Sequence, residues 1–177
     1  MLSFTPGHNY VVLLSGKLIS DDDKPLYARD GWQIPTENPP KFALAMLRNK
    51  AEHWKRYRPS ATLRSISHPD YPYNCVGMIF AARRHWIEID YMADLLQHDG
   101  YRQVSKSDVV AGDIVLYRDH KNEYSHVALV VPANLIRDTM NIRVLSKWGL
   151  DPEYEHFEDD VPENIGKVSE YWSERVT

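Results

Sequence analysis

Cys75 is the only cysteine in the chain, and the residues around it, Tyr73-Asn74-Cys75-Val76-Gly77, could present a nucleophile. A polar loop broken by Pro72 leads into Asn74, and the apolar stretch Val76 to Trp86 reads as a helix. A thiol at a helix start lies in the partial positive charge of the helix end, which favours thiolate and lowers the cysteine pKa. The same residue type is also a common buried structural side chain. A thiol nucleophile needs a base within hydrogen-bond reach, a third polar group to fix the imidazole tautomer, and donors aimed at the developing oxyanion.

Eight histidines compete to be the base. His8, His68 and His120 lie in polar loops, His53 is on a charged helix face, and His98 precedes a helix stop. His85 is ten positions after Cys75 on the same expected helix, too far along the axis to touch it. His126 opens the apolar run Val127-Ala128-Leu129-Val130-Val131. A polar residue at the mouth of a buried strand is well placed to be held rigidly against a partner, so His126 is the expected base, with a strand-end structural histidine as the alternative. For the third group, Ser146 ends the next expected strand and can accept from an imidazole N–H, and His156 follows the Trp148-Gly149 turn. Lys147 carries no acceptor and cannot fill that role. Asn74 could contribute to an oxyanion hole or cap the helix, and the Tyr73 and Tyr71 hydroxyls are further donor candidates.

The elements that must position these residues follow from pattern and turn chemistry. Residues 10–19 read as a strand closed by the acidic turn Ser20 to Pro25, and residues 26–35 as irregular, with Trp32 and Ile34 packing inward. Asn38 with Pro39 and Pro40 should cap a helix over 41–57, and 59–72 should be a long loop. A second helix is expected over 89–97 and a short strand over 101–104. A hairpin should pair 113–118 with 125–131, and 142–146 should add a third strand. Residues 150–162 read as an acidic loop and 164–175 as a terminal helix carrying Val168, Tyr171 and Trp172. Helices followed by strands make an α+β pattern.

The 177 residues suit one domain with its own core, at 43% apolar and 26% charged residues. The net charge of −4, without a long basic run, argues against a nucleic-acid partner. A single cysteine excludes an internal disulfide framework and fits a reducing compartment. No signal peptide or membrane span is read, so the expected location is the cytoplasm, with export by a signal-independent route left open. Without HExxH or paired cysteines, no metal or other cofactor is expected.

Asn74-Cys75-Val76-Gly77, then Gly112-Asp113-Ile114-Val115, then His126-Val127-Ala128-Leu129-Val130 resemble, in order and spacing, the NlpC-type papain-like cysteine peptidases. The segment Ser146-Lys147-Trp148-Gly149 with His156 downstream is similar to one in uncharacterised bacterial proteins of that broad fold. The resemblance spans residues 70–175. It implies a papain-like core with N-terminal helices packed on a small antiparallel sheet, and residues 1–60 as an extension or cap. The third residue of that family sits on the strand after the base, where this chain offers Ser146, and the resemblance favours His156 for the role. Where the family has Asp-Cys-Ser-Gly, this chain has Asn74-Cys75-Val76-Gly77.

The activity implied is hydrolysis of a peptide or other amide bond, with Cys75 attacking and His126 moving the proton. Family members commonly act on peptidoglycan peptides. An intracellular peptide or amide, or a toxin-like role after delivery, suits this chain as well. The competing expectations are an acyltransferase on the same fold and a non-catalytic binding module with an unreactive Cys75.

Overall fold

In the computed structural model, residues 10–12, 18–20, 25–37, 44–58, 60–65, 73–136 and 139–175 are described. The acidic turn at 21–24, the Asn38 cap with Pro39 and Pro40, His8, His68 and Tyr71 lie outside them. Two small hairpins come first, β1 (Tyr10–Val12) with β2 (Leu18–Ser20) and β3 (Leu26–Tyr27) with β4 (Gln33–Ile34). Helix α1 (Leu44–Tyr57) and strand β5 (Thr62–Ser65) follow, then α2 (Cys75–Phe80), α3 (Met92–His98) and β6 (Arg102–Val104). The remainder is strand: β7 (Ile114–Arg118), β8 (Tyr124–Ile136), β9 (Thr139–Lys147), β10 (Glu153–Phe157) and β11 (Lys167–Ser173).

The main sheet has seven strands in the order β5-β10-β9-β8-β7-β11-β6, all paired antiparallel. This overturns the expected α+β, papain-like architecture of N-terminal helices on a small sheet. The chain is mostly β, and the longest α-helix among the described residues has 14 residues.

Three misread segments account for the difference. Residues 62–65, expected within a long loop over 59–72, form β5 and pair with β10 at the sheet edge. Residues 167–173 form β11, which inserts between β7 and β6 rather than closing the chain as a helix. A register shift between Val168 and Glu170 puts Val168, Tyr171 and Trp172 at spacings that imitate a helical face. Their β-branched and aromatic types suit a strand. Residues 153–157 form β10 despite their acidic character, because each carboxylate has a cationic partner. Arg83 Nε lies 2.6 Å from Glu153, and Arg143 Nε lies 2.8 Å from Glu155, which Arg64 also pairs.

The sheet is covered on both faces. On one, α2 and α3 place Val76, Met92 and Leu95 against Ile114, Leu116 and Val127. On the other, Val115, Tyr117, Ala128, Val130, Ile142 and Val144 meet Trp148 and Tyr154. Ile114 through Tyr117 are 0% exposed, so β7 reads as a continuous apolar run instead of an alternating one. Asp113 anchors its start: Oδ2 accepts from Val110 N–H at 2.9 Å and from Arg175 at 2.9 Å.

Helix α2 is shorter than the expected span to Trp86. Two successive left-handed residues, Ala82 (φ 46°) and Arg83 (φ 67°), end it and turn the chain back across its own first turn. The return brings the His85 carbonyl against Gly77, where a Cβ would lie 1.8 Å from that oxygen. Both neighbours are backbone and cannot swing aside. Gly77→Ala is therefore expected to destabilise the protein by about 3 kcal/mol, read as a lower urea midpoint at unchanged slope.

Candidate active site

Asn74 fixes the start of α2. Its backbone is extended (φ −105°), and its side-chain oxygen accepts from Gly77 N–H at 2.9 Å. Its amide nitrogen donates to the Ile87 carbonyl at 2.6 Å, tying the returning loop to the helix start. An aspartate in this place would have no hydrogen for Ile87, which gives a physical reason for the uncharged residue before the cysteine. Asn74 thus caps and clamps. Gly77 N–H being taken, the Cys75 and Val76 N–H groups of the first turn are the ones directed to the thiol.

The Cys75 sulfur rests on the sheet where two strands part. The β8–β9 ladder runs back to Leu129↔Leu145 and ends there. Two residues earlier on β8, the Val127 N–H is directed at the Cys75 thiol and favours its ionised form. Cys75 is 6% exposed, and burial pushes its pKa up, opposed by the N–H groups of Val127, Val76 and Cys75 and by the charge of Lys147. The thiolate expected from a helix end is thus not the resting state: α2 has six residues, and desolvation outweighs its small end charge.

His126 precedes Val127 and lies on the other face of β8, its ring 5.3 Å from that of Tyr117. It is 1% exposed, and burial, with the field of His156, pushes its pKa down to about 3. The imidazole is therefore neutral, as a general base must be. Its Nε2 is buried with no hydrogen-bond partner among the described residues. Cys75 and His126 approach from opposite faces and line one cleft of about 390 Å³ at the mouth of the parted strands.

His156, on β10, has both ring nitrogens engaged. Nδ1–H donates to the Phe157 carbonyl at 2.7 Å, and Nε2 accepts from the Ser146 hydroxyl at 2.6 Å. The two candidates for the third role are thus bonded to each other, both 0% exposed, beneath the face that carries His126. Burial pushes the His156 pKa down to about 4, the Phe157 carbonyl opposing. The Tyr73 hydroxyl donates to the buried Glu153 at 2.6 Å, beside the ion pair of that carboxylate with Arg83.

The rest of the cleft was not legible as a site. Asp151 accepts from Trp54 Nε1 at 2.6 Å and pairs with Lys50, both on α1, and Trp148 lies against Trp54 at 5.0 Å between centroids. Trp86 and Glu88, joined by a 2.8 Å hydrogen bond, form the opposite rim. These residues come from separate elements, so no local spacing unites them. A larger cleft of about 770 Å³ lies between the β7–β8 turn and the start of β11, but it holds neither the thiol nor an unpartnered buried histidine nitrogen. Among the described residues no group of three His, Cys, Asp or Glu side chains is placed to hold a metal, and no helix is long and apolar enough to cross a membrane.

Compared with known proteins, residues 64–173, more than half of the chain, match a family described as a domain of unknown function, DUF7689. No curated protein and no solved structure matches.

The two buried histidines set the acid response. With folded values of about 3 and about 4 against 6.5, the unfolded chain binds protons in the window between them that the native state refuses. Stability therefore falls as pH drops from about 6.5 toward 4, on the order of 5 kcal/mol by pH 4.5 for the pair. Carboxylates held below their ordinary values, such as Glu155 beside Arg64 and Arg143, add their loss at lower pH. His156→Gln, which keeps a donor and an acceptor, should remove about half of the histidine loss in urea unfolding compared at pH 7 and 4.5.

Proposed function

We propose that this chain, which belongs to the DUF7689 family, is a cysteine hydrolase that cleaves an amide or peptide bond through Cys75 and His126. The observation that carries the reading is that they line one cleft, with a buried His126 whose Nε2 has no hydrogen-bond partner among the described residues. A buried, neutral, unpartnered imidazole nitrogen is costly to keep unless something in the working cycle uses it.

The resting pair is uncharged, thiol and imidazole. As a substrate carbonyl enters, the S–H bond breaks, the proton passes to the His126 imidazole, and the sulfur electron pair forms the S–C bond. The N–H groups of Cys75 and Val76, at the open first turn of α2, are the donors available to the carbonyl oxygen as it becomes an oxyanion. Collapse of the tetrahedral intermediate expels the amine, which takes the proton back from His126 and leaves a thioester on Cys75. Water, deprotonated by the same imidazole, then releases the carboxylic acid and the thiol. Tyr117 packs the His126 ring in place, and the Ser146–His156 pair beneath it is the polar third component. An amine or alcohol acceptor replacing water would make the same steps an acyl transfer. A nucleophile that must stay reduced suits the cytoplasm.

The burial of Cys75 favours a second reading, a binding cleft without catalysis. One experiment decides between them. A peptidyl vinyl sulfone should label Cys75 in the native protein, and His126→Gln should slow labelling by about 10²-fold or more, within the range of general-base contributions. Release of amine from a peptide-amide library should disappear in Cys75→Ala. Labelling seen only after denaturation, or equal in His126→Gln, would sink the hydrolase.

A further inference from the structure

Lys147 is the charged group at this site to which the hydrolytic steps give no task. It ends β9 and is 0% exposed. Its Nζ donates to the Asp151 carbonyl at 2.6 Å and stands 4.9 Å from the centre of the Tyr73 ring. Ile142, Val144 and Ser146 point to the face of β9 that holds Trp148 and His156, so alternation turns Lys147 to the face where α2 sits.

The register makes the placement sharper. Leu129 pairs with Leu145, and two residues further out on each strand are Val127 and Lys147. The Val127 N–H is directed at the Cys75 sulfur. The thiol is therefore seated in the gap between parting strands with a backbone donor on one side and an ammonium on the other.

A buried ammonium with one carbonyl partner is expensive unless an anion offsets it. The charged groups that face Lys147 are Glu153 and Asp151, which favour its charge, Lys50, which opposes it, and Cys75. Both carboxylates are matched elsewhere, Glu153 by Arg83 and Tyr73, Asp151 by Lys50 and Trp54. Lys147 and the Cys75 thiol each favour the charged form of the other.

We propose that Lys147 is a positioning residue for Cys75, its buried ammonium serving as the counter-charge that holds the thiolate. This rests on Cys75 being the nucleophile. When the S–H bond breaks, the proton leaves for the base, the electron pair stays on sulfur, and Lys147 keeps its three protons and forms no bond. The ammonium supplies what a six-residue helix end cannot. Burial also pushes the Lys147 pKa down to about 8, so the counter-charge is present at neutral pH and fades above it.

The test is the pH dependence of iodoacetamide alkylation of Cys75 in the native protein. Lys147→Met should slow alkylation at pH 7 about tenfold, and the gap from wild type should close as pH rises through about 8, where Lys147 itself loses its proton. Equal rates at pH 7 overturn the proposal. Should that variant fail to fold, reciprocity offers a second reading. The Lys147 titration, followed by NMR of ¹³C-lysine, should have a higher midpoint in Cys75→Asp, which fixes an anion at this position, than in Cys75→Ser, and identical midpoints overturn the proposal. Slowed alkylation in Lys147→Met with no effect of His126→Gln upholds the counter-charge and sinks the hydrolase. The opposite pair of results sinks the counter-charge alone.

Discussion

The site depends on the point where β8 and β9 stop pairing. Up to Leu129↔Leu145 their backbone groups satisfy each other, and beyond it the Val127 N–H turns to a sulfur. An unpaired buried N–H is expensive, so the sheet's own hydrogen-bond accounting holds the thiol in place. The parting also opens the cleft, and it lets side chains from both faces of one sheet reach a common space. Cys75 comes with the helical layer, and His126 with the face of Tyr117, Ser146 and His156.

The electrostatics of the cleft are those of uncharged groups. Burial disfavours charge on the thiol and on both imidazoles, raising the first and lowering the others. In the proposed hydrolysis, charge separation between Cys75 and His126 would be left to the reaction, supported by fixed dipoles that need no reorganisation.

Much of this was readable in the residues. The hairpin of β7 and β8, strand β9, and helices α1 and α3 were visible from apolar runs, Gly100 and the turn at 119–123, because local pattern and tertiary environment agree there. Cys75 and His126 were singled out by type and spacing, and they share a cleft. The sheet's true width was hidden. Strand β10 looked like a loop because its carboxylates find arginines distant in sequence, and β11 looked like a helix because a bulge reset its alternation. Asn74 and Lys147 were seen, but their tasks were not. A donor for Ile87 and a position opposite Val127 exist only after folding.

Helix α1 lies outside the matched segment 64–173, yet its Lys50 and Trp54 form a wall of the cleft through Asp151. The proposed reacting groups and their supports all fall inside that segment. In the proposed hydrolase, bond-breaking and substrate admission would therefore be carried by separable stretches of chain. A relative built on the same 110-odd residues but preceded by a different segment would keep the thiol seat and the imidazole while presenting a new doorway. Selectivity in such an arrangement can diversify by exchange of the leading segment, with the strand gap beneath it left intact.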